Sequence, residues 1–211
     1  MKKFAFLIVV FLFSTAWSAP DAEKIIKNVQ KKYKGVDQVL IHFKQINRFK
    51  LTGIENEVFG TLWLTRDNKF KIDTEDQTLV SNGDTFWRFN KLENQVLIDN
   101  AKNDQQEVFL NDFLFNIGER YYSQVISVDK SGKRDIYEMK LTPRNKDESY
   151  FNYLKVWIED NTWQIKRVLY VDYNDNENEY VIEEMNLKPD IPLANFTYEV
   201  PEGADIVDLR Y

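Results

Sequence analysis

The chain has no cysteine and a single histidine, His42, in 211 residues. The first absence removes disulfides, thiolate nucleophiles and thiolate ligands together. With one imidazole left, a zinc site is nearly excluded, because such sites draw their ligands mainly from Cys and His. A Ser-His-Asp triad would have to use His42, which strand alternation puts on a polar face, and no G-x-S-x-G elbow accompanies it. A Gly-rich phosphate loop is also missing. Carboxylate pairs such as Glu183 with Glu184, or Asp172 with Asp175, lie in acidic turns where charges are ordinarily solvated, so they give glycoside hydrolysis no support. The residues read as those of a binding protein and not of an enzyme, with no cofactor and no metal.

Positive charge is also in short supply. There are 28 Lys and Arg against 34 Asp and Glu, a net charge of −6, which argues against nucleic acid or an anionic membrane surface as the main partner. The unbroken apolar run Phe4 to Phe13 is too short to span a bilayer as a helix. Preceded by Lys2 and Lys3 and followed by Ser14-Thr-Ala-Trp-Ser-Ala19, it reads as a secretory signal peptide. Cleavage is expected after Ser18, with Ala16 as the alternative, so residues 1–18 form a leader and 19–211 a single domain. Loss of Lys2 and Lys3 would leave 26 basic residues against 34 acidic ones, a net charge of −8. Because no cysteine follows the run, no lipid anchor is expected, and the exported chain should be a monomer that is not membrane-anchored. About 190 residues can bury a core without disulfides.

What is present is strand. From Glu57 to Asn90 the sequence EVFGTLWLTRDNKFKIDTEDQTLVSNGDTFWRFN alternates aromatic and β-branched segments with polar turns, the pattern of an antiparallel meander. Thr65-Arg-Asp-Asn-Lys69 separates two apolar runs. Ser81-Asn-Gly-Asp84 places Asn82 and Gly83 where a two-residue hairpin wants positive φ at both central positions. Strand 58–64 carries Val58, Gly60, Leu62 and Leu64 on one side and Phe59, Thr61 and Trp63 on the other, so both faces are partly apolar.

Before this meander, Ile25, Ile26, Val29, Tyr33 and Val36 fall on one helical stripe. Asp21 is suited to the N-cap, Lys31, Lys32 and Lys34 to the negative end, and Gly35 to the stop. Val39 to Phe49 then starts the sheet, and Gln95 to Ile98 reads as another strand. Phe109, Leu110, Phe113, Leu114 and Ile117 return to helical spacing, with Gly118 as the expected stop. Strands follow at Tyr121–Val128, Ile136–Leu141, Tyr153–Glu159, Thr162–Asp172 and Glu179–Leu187. The expectation is one mainly β (α+β) domain of ten or eleven antiparallel strands with two or three helices.

Gly60-Thr-Leu-Trp-Leu-Thr-Arg66, then Phe70, then Leu79-Val-Ser-Asn-Gly-Asp-Thr-Phe-Trp-Arg-Phe89 resembles the LolA family of lipoprotein carriers. That family shows a G-x-L-x-[LV]-x-R segment followed by V-S-[DN]-G-x-x-[LF]-W-x-[YF]. Phe43-Lys-Gln45 matches the family's upstream F-x-Q, and Phe196-Thr-Tyr-Glu-Val-Pro-Glu-Gly203 its closing F-x-[FY]-x-x-P-x-G. Together these motifs span nearly the whole mature chain.

The resemblance implies an incomplete antiparallel β-barrel of about eleven strands covered by a helical lid. It implies a periplasmic carrier in a Gram-negative bacterium that receives lipoproteins from an inner-membrane ABC transporter, shields their acyl chains and delivers them to an outer-membrane acceptor. The alternative is a lipid- or lipoprotein-sensing module on the same fold. Leu62, Leu64, Phe70, Ile72, Leu79 and Phe86 would line the acyl cavity, and Val29, Tyr33, Phe109, Leu110, Phe113 and Leu114 would belong to the lid. Arg66 would latch that lid by bonding its backbone carbonyls. Arg66 also shares strand parity with Leu62 and Leu64, so it extends an apolar face. One residue departs from the family pattern: Asp67 stands where proline usually follows this arginine, which loosens the turn and offers the guanidinium a competing carboxylate.

Overall fold

The computed structural model describes residues 20–102, 114–146, 149 and 151–210, and the elements named here are those of the described residues. Helix α1, Ala22–Tyr33, begins where the Asp21 carboxylate accepts the N–H groups of Glu23 and Lys24. It ends before Gly35, whose φ of 79° is the left-handed conformation that closes a helix. Its buried residues, Ile25, Ile26, Val29 and Tyr33, are those of the predicted stripe.

Six strands then run as a meander: β1 Gln38–Arg48, β2 Glu55–Thr65, β3 Phe70–Thr74, β4 Gln77–Ser81, β5 Thr85–Asn90 and β6 Gln95–Asn100. A one-turn helix α2, Ile117–Arg120, leads into a second meander. That meander comprises β7 Tyr121–Asp129, β8 Ile136–Pro143, β9 Phe151–Glu159, β10 Gln164–Asp172 and β11 Glu177–Asn186. A 3₁₀ turn at Leu193–Phe196 and a short β12, Asp205–Asp208, complete the described chain.

All twelve strands form one open sheet in the order β12-β6-β5-β4-β3-β2-β1-β11-β10-β9-β8-β7. The two meanders join because the first strand pairs with the eleventh, Gln45 opposite Tyr180. β12 adds in parallel to β6; its four residues are too few to show an alternation in the sequence. This order sends the connection from β6 to β7 from one side of the sheet to the other. Inner-face residues of β1 to β5 and of β8 to β10 share one core with α1, so the sheet curls around that helix.

Two local expectations are corrected. At the β4–β5 turn only Gly83 has positive φ, 96°, while the Asn82 side chain accepts the N–H groups of Asp84 and Thr85. The central pair is therefore Gly83 and Asp84, with glycine in the first position, because the Asn82 amide instead bonds to Thr85 O. Gly118 does not stop a helix but lies within α2, where Asn116 O accepts from both Glu119 and Arg120. The larger part of the predicted helix 107–118, including Phe109, Leu110 and Phe113, lies outside the described residues.

The apolar groups on both strand faces have separate destinations. Val80, Val96, Ile98, Ile191 and Phe196 are buried, yet none belongs to the core around α1. The chain after β11 returns across the outer face. Gln38 clasps it by exchanging two 3.1 Å bonds with the backbone of Ile191, and Tyr198 packs its ring 5.9 Å from Phe89. Phe196→Ala should therefore destabilise the protein by about 3–5 kcal/mol in urea unfolding, the range for deleting a buried aromatic. A loss below about 1 kcal/mol would show that this return segment is not a second core.

Candidate functional site

Register fixes what the inner face presents. Nearest the α1 end, one row across the sheet reads Val39, Leu64, Phe70, Ser81, Phe86 and Asp99. The next row reads Ile41, Leu62, Ile72, Leu79, Arg88 and Leu97. Beyond it stand Phe43, Gly60 and Thr74, with Gln77, Asn90 and Gln95 continuing along β4 to β6. The face thus turns from apolar to polar with distance from the helix, because the alternation that supplies Leu and Phe near β2's end supplies Gln, Asn and Thr at the other end.

The six residues expected to line the cavity occupy the first two rows and are all buried, from Leu64 at 1% exposed to Ile72 at 9%. They share one continuous core with Val29, Tyr33, Leu114 and Ile117. α1 packs on α2 so closely that a Cβ on Gly118 would lie 2.7 Å from the Gln30 amide.

Arg66 lies just past the end of β2. Its Nη2 donates to Tyr33 O, on the last residue of α1, at 2.9 Å, and its Nε to Val36 O, in the turn that follows, at 3.0 Å. A last-turn carbonyl such as Tyr33 O has no partner within the helix; it accepts from Val36 N–H as well, and a planar guanidinium has five donors to offer such groups. Its amide bonds to Asp37 O, and its guanidinium lies 4.4 Å over the ring of Phe115. One side chain therefore touches both the end of α1 and the approach to α2. Asp67 does not compete for it. Lys69 and the Thr65 hydroxyl engage that carboxylate and hold it below its ordinary pKa, while Asp37 stands 3.9 Å from Arg66 Nε.

The opposite side of α1 is tied by Tyr33, whose hydroxyl receives the N–H of Ile165 on β10 and points to Met185 Sδ on β11, each at 3.4 Å. Burial pushes its phenol up to about 12, against the opposing effect of the Ile165 hydrogen bond.

Farther from α1, on the same face, is a cavity of about 160 Å³ lined by Phe43, Ile72 and Leu79 together with Gln45, Thr74, Gln77, Arg88, Tyr170 and Tyr180. A row of rings leads away from it across β1, β11, β10, β9 and β7. Phe43 to Tyr180 is 5.5 Å, Tyr180 to Tyr170 6.4 Å, Tyr170 to Phe151 6.1 Å and Phe151 to Tyr121 6.3 Å.

Sequence reading missed Phe115, which stacks on Arg66, and the polar lining of this cavity. The signal for Arg88 was available, since it shares parity with Phe86 as Arg66 does with Leu64. His42 is exposed on the outer face, within 3.0 Å of the Thr61 hydroxyl.

Known proteins resemble this chain in sequence and in fold. The family model described as "Outer membrane lipoprotein carrier protein LolA" covers residues 34–199. An outer-membrane lipoprotein carrier protein of Azotobacter vinelandii is 22% identical over 208 residues, covering 94% of this chain and 97% of that protein. One from Chromohalobacter salexigens is 25% identical over 157 residues, 72% of this chain and 71% of that protein. An uncharacterized protein of Methanocaldococcus jannaschii is 22% identical over 205 residues; the match takes in 96% of this chain but spans 58% of the archaeal protein's length. The solved structure of an uncharacterized conserved protein from Thermus thermophilus shares the fold with a TM-score of 0.56 at 11% identity, covering 88% of this chain and 98% of that one.

Gly60 provides a test of how tightly the inner face is packed. A Cβ there would lie 2.6 Å from Cζ of Phe43 and 3.0 Å from the Thr74 methyl, closer than packed carbons approach. Gly60→Ala should cost about 1–3 kcal/mol in thermal or urea unfolding, and Phe43→Leu should recover part of it in the double variant. Simple additivity of the two losses would show that Phe43 does not occupy the space above Gly60.

Proposed function

The chain belongs to the LolA family of outer-membrane lipoprotein carrier proteins, and from that premise we propose that it carries lipoproteins across the periplasm of a Gram-negative bacterium. It receives a lipoprotein from an inner-membrane ABC transporter, shelters the acyl chains against the inner face of the sheet, and passes them to an outer-membrane acceptor. The need for a carrier is physical. At about 0.8 kcal/mol per buried methylene, one chain of some fifteen carbons costs roughly 12 kcal/mol to expose to water.

The observation that carries the proposal is the pair of hydrogen bonds from Arg66 to the carbonyls of Tyr33 and Val36. They join the end of α1 and the turn after it to the end of β2, and α1 shares one core with Leu62, Leu64, Phe70, Ile72, Leu79 and Phe86. In this mechanism the empty carrier is latched, and a cargo chain gains the inner face only as α1 and its neighbours yield it. Bonds to a charged donor contribute about 1.5–3 kcal/mol each when sheltered. With the Arg66 side chain 41% exposed, solvent reduces the pair to about 2–4 kcal/mol in favour of the closed state. That bias weakens loading and helps unloading by the same factor.

Arg66→Leu removes the latch and adds apolar surface. The variant should take up lipoprotein from spheroplasts at least as well as the wild type, yet transfer it to isolated outer membranes about tenfold or more slowly. Arg66→Lys should also be impaired, because an ammonium cannot reproduce the two-pronged contact. Normal transfer by Arg66→Leu would overturn the latch. Failure of the wild-type protein to hold any lipoprotein in solution would overturn the carrier.

A further inference from the structure

Arg66 can hold α1 down only if the carbonyls it reaches are themselves held in place. One of them, Val36 O, belongs to the turn between α1 and β1, directly after Gly35, whose φ of 79° and missing side chain leave the backbone there little to stiffen it. On its β2 side this turn is continued by the ladder: Gln38 opposes Thr65, and the Arg66 N–H donates to Asp37 O at 2.9 Å. On the other side the ladder stops short, because β11 ends at Asn186, opposite Leu40. The Gln38 side chain takes the place of the strand that is missing there. Its Nε2 donates to Ile191 O and its Oε1 accepts the Ile191 N–H, both at 3.1 Å, so one amide exchanges the pair of bonds that two backbones would exchange. Ile191 is buried, in the return segment that ends in the buried Phe196. Glutamine supplies the donor and the acceptor at once, whereas the aliphatic residues common in strands supply neither.

We propose that Gln38 is a positioning residue for the Arg66 latch: by binding the backbone of Ile191 it ties the start of β1 to the return segment on the outer face, and so holds Val36 O where the guanidinium reaches it. The inference rests on the carrier reading and adds a second determinant of how readily the latch opens. It also divides what moves from what stays. Residues up to Val36 travel with α1 when the guanidinium lets go, Gly35 and its neighbours absorb the change of direction, and Gln38 remains with the sheet. The outer face thereby sets the closed state of the inner one, through a side chain that touches neither α1 nor Arg66 by any of these bonds.

The test reads the latch without lipid. The chain has no cysteine of its own, so Val29→Cys, on the buried face of α1 at 0% exposed, gives a single thiol whose rate of modification in the empty protein follows the fraction of molecules in which α1 has left the sheet. In that background Gln38→Met should speed modification about threefold or more and Arg66→Leu about tenfold or more, as expected for losing neutral and charge-assisted hydrogen bonds. Gln38→Glu keeps the acceptor and loses the donor, and should shift the rate in the same direction. The decisive comparison is the double variant. With Arg66→Leu already present, Gln38→Met should add nothing, because the carbonyl it positions then has no guanidinium to meet. Without the Val29→Cys substitution, Gln38→Met should also slow transfer of pre-loaded lipoprotein to isolated outer membranes, by less than Arg66→Leu does. Equal acceleration by Gln38→Met with and without Arg66 would make the clasp a general support of the fold and overturn the positioning role, and so would no acceleration in either background. If the wild type holds no lipoprotein, the carrier reading fails, while the thiol rates still decide what Gln38 does to the latch.

Discussion

An open sheet of twelve strands leaves its apolar inner face to be covered by something other than itself. Sheets of this size twist until they curl, and a curled sheet that does not close exposes its inner rows to water unless other chain fills the hollow. Here the filling is helix α1, whose Ile25, Ile26, Val29 and Tyr33 join the inner-face core. The same constraint accounts for the topology. Because β11 closes on β1 and not on β6, the chain between β6 and β7 must pass from one side of the sheet to the other. The described end of that passage, from Leu114 to α2, adds Leu114 and Ile117 to the cover. What covers the face is thus held by chain connections and by a few polar ties, while the sheet is held by its own ladders.

Those ties are unequal in kind. Tyr33 fastens α1 to β10 through a neutral hydroxyl buried deeply enough to raise its pKa to about 12. Arg66 fastens the same end of α1 to the β2–β3 turn through a charged group that remains partly in water. A partly solvated guanidinium can leave its carbonyl partners without stranding a charge in an apolar interior, whereas withdrawal of Tyr33 empties a packed site. The rim bond is therefore the tie that can open at modest cost, and the Tyr33 side the one about which α1 would remain attached.

How much of this was legible in the sequence follows from how local each signal is. Helix α1 was readable to its caps, because Asp21, the last-turn lysines and Gly35 act within one turn of where they stand. Strand alternation put Leu62 and Leu64 on one side of β2, since a period of two survives any twist of the sheet, and the family resemblance added Phe70, Ile72, Leu79 and Phe86 to that face. Other features depend on partners distant in sequence. β12 is called a strand by its neighbour β6, and the second core under Phe196 requires knowing that the chain returns across the outer face. At Asn82 and Gly83 the dipeptide was right, but the hairpin shifted by one residue because the Asn82 side chain served the turn as an acceptor. The lining of the cavity around Arg88 was not legible locally, because only the closure of β11 on β1 brings Tyr170 and Tyr180 to it.

Under the proposed function, the cover and the cargo compete for the same atoms. The inner-face residues from Leu64 to Ile72 are less than a tenth exposed, so an acyl chain can rest on them only by replacing what now buries them. Apolar contact is then exchanged for apolar contact, and that part of the reaction is nearly balanced however long the chain. What remains to set the direction of transfer is the small set of interactions present in one state and absent from the other, chief among them the Arg66 bonds to Tyr33 and Val36. Linkage makes their effect reciprocal: whatever free energy the latch adds to the closed state is subtracted from the affinity for cargo. A carrier tuned in this way holds a lipid almost as well as a membrane does and gives it up to an acceptor that offers only slightly more.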